Sequence, residues 1–346
     1  MNAAGRLARL IRATGPIPLG AFMAEANMAY YTSRDPLGAA GDFITAPEIS
    51  QMFGELAGLW LAAMWQGAGR PNNAIYAEPG PGRGTLAGDA LRAMARFGLS
   101  PGVHFIESSP VLVAAQRRAV PAAHWHDSLA SLPDEGPLLL VANEFLDAMP
   151  VRQLVRTPAG WRERMVALEG DRFVPIVGDR PMDAAVPAAA YATAPPGTIV
   201  ETCPAASAMV AEIAGRLARQ GGAALLIDYG HVDRPTGSTL QAVRAHAKVD
   251  PFVAPGEADL TALVDFATMA EVAVAAGACH LGTIGQGAFL GAMGIATRAQ
   301  ALARARPDQA QLLASALERL TGPDQMGTLF KVMRLAAPGW PEGMGF

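Results

Sequence analysis

The chain has 346 residues, a net charge of −4 and only 17% charged residues against 51% hydrophobic ones, which fits one large domain or a core with an insert. That much apolar surface excludes a disordered chain. The absence of a basic run removes the footprint of a nucleic-acid binder, and no apolar stretch reaches the roughly 20 residues needed to span a bilayer. Cys203 and Cys279 have no CxxC spacing, so neither a disulfide framework nor a zinc site follows, and a reducing compartment is implied.

Arg6, Arg9 and Arg12 with no acid in the first 24 residues resemble a transit peptide in composition. An Arg-bearing amphipathic helix with Leu7, Leu10 and Ile11 on one face is the preferred reading. A polar, aromatic turn is expected over 27–35, then a loop punctuated by Gly38, Gly41 and Pro47. Phe53, Leu56, Ala57 and Trp60 at helical spacing predict a long apolar helix over 49–65.

From residue 74 the pattern alternates. Strands are expected over 74–77, 103–106, 124–126 and 138–142, with helices over 86–97 and 111–119. Short apolar runs alternating with helices predict parallel strands and a doubly wound α/β sheet. Residues 151–156, 161–167 and 172–176 read as a small antiparallel β insert, followed by a proline-marked return. A strand over 198–201, a helix over 204–220 and a buried strand over 223–227 come next. Residues 232–262 read as loop-rich. Helices over 266–276, 287–293, 296–305 and 309–320 and a strand over 328–335 close the chain. The expected organisation is an N-terminal helical lid region over 1–72 and a core over 73–346, with the insert at about 151–197 and a substrate-side loop region at about 232–265.

In open α/β sheets the ligand lies beyond the carboxyl ends of the strands. Here those ends carry Glu78, Glu107 with Ser108, Asp127, Asn143-Glu144 and Asp228. Acids in such places also cap helices. Between the first two lies Glu78-Pro79-Gly80-Pro81-Gly82-Arg83-Gly84-Thr85. Its glycines follow a strand and open a helix, as a loop that approaches a ligand closely requires. The spacing is GxGxG, and no Lys-Ser/Thr pair follows, so it is not a P-loop. A glutamate ahead of the glycines would repel a pyrophosphate but suits an ammonium-bearing ligand. S-adenosylmethionine is such a ligand, with its carboxylate on the helix N-terminal amides and its ribose hydroxyls on Glu107.

The run 78–86 resembles the first motif of class I methyltransferases, and its GPGRGTL form is similar to that of the MidA family, relatives of mitochondrial complex I assembly factor seven. The segments 41–48, 143–150, 227–231, 239–266 and 326–332 match the same family in order, so the resemblance spans most of the chain. It implies a class I (Rossmann-like) methyltransferase fold, S-adenosyl-L-methionine as cofactor and, for mitochondrial members, methylation of an arginine on a complex I subunit. The implied partner is a protein with an accessible arginine, with no nucleic acid and no membrane insertion. The implied location is the cytoplasm for a bacterial-type chain and the mitochondrial matrix for a eukaryotic one.

Asn143, Glu144 and Asp147 are the candidate catalytic residues: the carboxylates of Glu144 and Asp147 can fork a guanidinium bidentately, and Asn143 would orient either the acceptor or the methionine end. The spacing of Glu144 and Asp147 would place both on one helical turn. Cofactor binding is expected from Glu78, Gly80, Gly82, Gly84, Thr85, Glu107, Ser108 and Asp127, with Asp42, Phe43 and Thr45 as a lid that excludes water. Asp228, Tyr229, His231, Glu257 and Asp259 are candidates for the substrate side, and no metal site is expected. The insert at 151–177 offers either a homodimer surface or a lid. A non-catalytic assembly factor that keeps the fold is the alternative. A nicotinamide-dependent oxidoreductase is disfavoured by the GxGxG spacing and Glu78.

Overall fold

The computed structural model describes residues 2–33, 44–183, 191, 193–245 and 247–343. The apolar runs become the strands of one sheet: β1 (Ile75–Pro79), β2 (Gly102–Ile106), β3 (His124–His126), β4 (Leu138–Asn143), β5 (Gly222–His231), β6 (Cys279–Gly285) and β7 (Phe330–Ala336). Their spatial order is β6-β7-β5-β4-β1-β2-β3. The strands β3, β2, β1, β4 and β5 pair in parallel, and β7 runs antiparallel between β5 and β6. Every residue of β1 and β4 is buried, which is why both read as unbroken apolar runs and not as alternating ones.

Three helices frame the first half of this sheet: α1 (Gln51–Gly67), α2 (Thr85–Ala95) and α3 (Pro110–Ala119). Ser50 caps α1 by accepting the Met52 N–H. The helix α1 is apolar nearly all round because it is a core helix. Gly54 and Gly58, one turn apart, let α2 come close. A Cβ at Gly58 would lie 2.4 Å from the Ala90 carbonyl oxygen. Trp60, Tyr76, Phe105, Leu139, Leu225 and Phe289 belong to the same buried core.

The chain divides into two compact units: a larger one, 44–146, 208–232 and 266–346, and a smaller one, 1–43, 147–207 and 233–265. The first division falls at 43/44 and not at 72, because α1 packs its glycine face on α2 of the larger unit.

The smaller unit gathers the N-terminal segment, the insert and the loop-rich stretch. Strands Arg152–Thr157, Gly160–Glu169, Arg172–Pro181 and Ile199–Thr202 form an antiparallel sheet, and Ile17–Pro18 adds to Gly160–Glu169 with Ile17 opposite Val166. Leu7, Ile11, Phe22 and Met23 pack with Val151, Val166 and Leu260 in its core.

Two expectations are corrected here. Residues 27–33 lie inside a second helix, Leu19–Ser33, and not in a turn. The polar side chains that suggested a turn have tertiary partners: Asn27 donates to the carbonyls of Ala148 and Leu260 and accepts the Leu260 N–H. The stretch read as loops contains three short strands, Gln241–Arg244, Ala247–Val249 and Asp259–Thr261, paired antiparallel.

Candidate functional site

Parallel pairing brings the carboxyl ends of β3, β2, β1, β4 and β5 to one edge of the larger unit. The loop between β1 and α2 turns through three left-handed glycines, Gly80, Gly82 and Gly84, at φ of 60°, 55° and 82°. Side-chain-bearing residues rarely adopt this geometry. A Cβ at Gly80 would come within 2.5 Å of the Phe145 ring. Gly84 holds the N-cap position of α2 without a side-chain cap, and Thr85 opens the helix. Such a terminus presents backbone N–H groups to an anion.

Thr85 turns its hydroxyl to Glu48 at 2.6 Å, and Arg83 faces the same carboxylate at 3.6 Å. Glu48 sits on the short helix Ala46–Ile49, whose N-cap residue is Thr45. The Thr45 side chain makes no capping hydrogen bond; its backbone carbonyl accepts the Glu48 N–H. Asp42 and Phe43 lie outside the described residues.

Glu78 is 2% exposed, and Tyr76 donates its hydroxyl to the carboxyl at 2.6 Å. Burial pushes the Glu78 pKa up to about 8. Glu107 follows β2. Its Oε1 accepts the Ser109 N–H at 2.7 Å and its Oε2 accepts from the Gln116 side chain at 3.1 Å. Burial raises the Glu107 pKa, and these hydrogen bonds act against that rise. Ser108 and Asp127 are exposed beside it, at the ends of β2 and β3.

At the end of β4, Asn143 is 9% exposed and donates Nδ2 to Glu144 Oε1 at 3.1 Å. Its Oδ1 is buried with no hydrogen-bond partner among the described residues. A buried acceptor left open at a strand end has room for one more donor, from a bound ligand or a water. Glu144 Oε1 also accepts the Ala46 N–H at 3.0 Å. The Glu144 backbone is left-handed, with φ of 49°, and its N–H reaches the Ile227 carbonyl at 2.8 Å. No helical turn follows, which corrects the expected placement of Glu144 and Asp147 on one helix face. The cause is Asp228 at 1% exposure: its Oδ2 accepts the N–H groups of Phe145 and Leu146 at 3.1 and 2.9 Å and holds the chain in a bend.

Asp228 is therefore an anchor of this turn, and its other oxygen accepts the Tyr229 N–H. Tyr229 packs edge-on against Phe330, and His231 ends β5 half-buried. Asp147, Glu257 and Asp259 belong to the smaller unit. There the Asp147 carbonyl accepts the Ala262 N–H, Asp259 accepts the Tyr31 hydroxyl at 2.8 Å, and Glu257 pairs with Arg244 at 2.9 Å on the surface. Among the described residues no three or more His, Cys, Asp or Glu are grouped to hold a metal ion, and no helix is long and apolar enough to cross a membrane.

Two side chains of the site were not anticipated from sequence. One is Tyr76, the partner of Glu78. The other is Gln116, fully buried, which is hydrogen-bonded to Gly82, Glu107 and Trp125. The signal for Gln116 was its place four residues after Leu112, on the inward face of α3, where a lone polar residue stands out.

Comparison with known proteins gives the family of the chain. Residues 56–284 match a family described as S-adenosyl-L-methionine-dependent methyltransferase. The mitochondrial protein arginine methyltransferase NDUFAF7 homolog of Drosophila melanogaster is 36% identical over 377 residues, covering 96% of this chain and 85% of that protein. The mitochondrial protein arginine methyltransferase NDUFAF7 of Homo sapiens is 36% identical over 365 residues, covering 94% and 81%. A COG1565 superfamily member from Burkholderia thailandensis, crystallised with S-adenosylhomocysteine, superposes with a TM-score of 0.84 at 31% identity, covering 96% of this chain and 91% of that one. The open glycine turn and the acid after β2 suit that cofactor, and the chain belongs to this family of S-adenosyl-L-methionine-dependent methyltransferases.

Proposed function

We propose that the protein methylates an arginine side chain of a partner protein, with a respiratory complex I subunit as the substrate class that the family resemblance implies. The observation that carries this reading is the Asn143–Glu144 pair: a buried open acceptor and an oriented carboxylate, side by side at the carboxyl end of β4. The relatives named protein arginine methyltransferase support the same substrate chemistry.

When bound, the cofactor supplies an electrophilic methyl carbon on a sulfonium; the protein supplies placement and charge. The turn of Gly80, Gly82 and Gly84 and the first N–H groups of α2 would take the methionine carboxylate. Glu107 would accept the ribose hydroxyls, with Ser108 and Asp127 beside the base. Glu78 would face the ammonium side and become ionised as the positive charge arrives. Asn143 Oδ1 would accept one N–H of the incoming guanidinium, and the Glu144 carboxylate another. Two acceptors on one side of a guanidinium hold it flat and draw its positive charge away from the attacking nitrogen. Glu144 would then hold the proton that this nitrogen gives up.

The test has two stages. Calorimetric titration should show binding of S-adenosylmethionine and none of NAD; no affinity for S-adenosylmethionine overturns the cofactor site. Mass spectrometry of extract peptides, with and without the protein, should then find added methyl groups on arginine. Methyl groups on another residue type overturn the arginine assignment, and tight cofactor binding without transfer to any protein favours the assembly-factor alternative.

A further inference from the structure

The three hydrogen bonds of Gln116 form a closed assignment. The Trp125 indole N–H can only donate, and it points at Gln116 Oε1 at 2.8 Å. That fixes which end of the amide is oxygen. The Nε2 end must then face the other way, where it meets two acceptors: the Gly82 carbonyl at 2.8 Å and Glu107 Oε2 at 3.1 Å. The indole is itself held, with the Arg117 guanidinium 4.3 Å above its ring and Phe105 edge-on at 6.1 Å between centroids. Gln116 is 0% exposed, so no water competes for the amide. The Ser109 N–H holds the second carboxylate oxygen of Glu107 from the opposite side.

We infer that Gln116 is a positioning residue for the cofactor: its amide, locked by Trp125, ties the Gly82 turn to the Glu107 carboxylate and sets the angle at which that carboxylate meets the ribose hydroxyls. This rests on the proposed role of Glu107. One buried side chain thereby couples the part of the loop that takes the methionine end to the acid that takes the ribose. A carboxylate free to rotate in this half-buried place would turn toward water before it met two hydroxyls. A carboxylate held on both oxygens loses little freedom when the ligand arrives.

The experiment compares binding of S-adenosylhomocysteine and its 2′,3′-dideoxy counterpart by calorimetry. The variants are Gln116→Met, Trp125→Phe and Glu107→Gln, each checked by thermal unfolding. The wild type should prefer the ribose compound by about 100-fold, the size expected of charge-assisted hydrogen bonds. Gln116→Met should cut that preference by about tenfold and change dideoxy affinity by less than about twofold. Trp125→Phe, which keeps an aromatic ring and removes the N–H, should cut the preference by about threefold. In turnover, Gln116→Met should raise KM for S-adenosylmethionine and leave kcat in place. Equal weakening of both ligands by Gln116→Met, or none, overturns the inference and makes Gln116 a packing residue; Trp125→Phe decides if Gln116→Met does not fold. A preference abolished in Glu107→Gln and kept in both other variants overturns the Gln116 role alone. A preference unchanged in Glu107→Gln overturns the ribose role of Glu107 and this inference with it.

Discussion

The Tyr76 hydroxyl donates to the Glu78 carboxyl at 2.6 Å, two residues along one face of a strand buried on both sides. The bond stabilises the ionised carboxyl, but burial outweighs it and pushes the pKa from 4.5 up to about 8. Between those two values the folded chain binds a proton at Glu78 that the unfolded chain has released. Stability from this group is therefore full below the unfolded pKa and falls as pH rises toward the folded one, with a slope near about 1.4 kcal/mol per pH unit inside the window. Thermal melts of the ligand-free protein from pH 5 to pH 9 should show the wild type losing ground against Glu78→Gln up to about pH 8 and running parallel beyond it. Parallel curves throughout would show that Glu78 is ionised in the folded state across that range.

If Glu78 takes the cofactor ammonium as proposed, the same shift should make cofactor binding a proton-releasing event. An ammonium placed beside Glu78 lowers its pKa again, so binding at pH 6.5 to 7 expels a proton to the buffer. Binding enthalpies of S-adenosylmethionine in phosphate and in Tris should then differ by up to the difference in buffer ionisation enthalpy, and Glu78→Gln should remove the difference. Identical enthalpies in both buffers for the wild type would place Glu78 away from the ammonium.

Much of this site is legible in the sequence, and the parts that are not have definite physical reasons. The strands β1, β4 and β5 declare themselves because parallel strands buried on both faces are unbroken apolar runs. The glycine loop declares itself because few residues tolerate its φ values. The strand β6 was hidden: Gly282 and Gly285 and a register shift between His280 and Thr283 interrupt its pattern. The sequence predicts a turn from residue 27, where the helix Leu19–Ser33 continues, because Asn27 looks like a turn residue until Ala148 and Leu260, more than 120 positions away, supply its partners. Asp228 was expected to close its strand, but β5 runs on to His231, and the Asp228 hydrogen bonds reach a bend 82 and 83 residues earlier, which spacing alone cannot foretell.

That bend gives a direct prediction. Asp228→Ala removes the acceptor for the N–H groups of both Phe145 and Leu146, in a place with no solvent to replace it. Two backbone donors losing a charged partner should cost about 2–4 kcal/mol. Chemical denaturation should show the midpoint fall with an unchanged m-value. Because Glu144 sits just before the bend, methyl transfer should drop as well, even in the fraction that remains folded. A loss under about 1 kcal/mol would mean that the bend holds without Asp228.

Gly58 sets the distance between α1 and α2. Alanine is the better helix former by about 1 kcal/mol, so propensity alone predicts that Gly58→Ala stabilises. Packing predicts the reverse, since the new Cβ would stand 2.4 Å from the Ala90 carbonyl oxygen and 2.6 Å from its Cα. These are backbone atoms of a buried helix and cannot swing aside, so forcing the helices apart should win by about 1–3 kcal/mol net. Gly291, where a Cβ meets nothing within 4 Å, is the internal control. There the same change should be neutral or stabilising, and a Gly58→Ala protein as stable as the Gly291→Ala protein would refute the close approach.

Glu144 is where stability and chemistry should part. Its backbone φ of 49° is costly for a side-chain-bearing residue, and Glu144→Gly should recover about 1 kcal/mol of that strain. The same change loses the bonds from the Ala46 N–H and Asn143 Nδ2, which cost about as much. The two effects nearly cancel, so the Glu144→Gly melting temperature should stay within a few degrees of the wild type. Methyl transfer should nevertheless fall by at least about 100-fold, because no carboxylate remains to receive the acceptor's proton. Glu144→Gln separates the roles: its amide oxygen can keep the Ala46 bond while the negative charge is gone. If Glu144 merely anchors the entry to the helix Ala46–Ile49, Glu144→Gln stays active. If Glu144 holds the acceptor's proton, Glu144→Gln fails along with Glu144→Gly, and cofactor affinity, measured separately, stays within about threefold of the wild type in both.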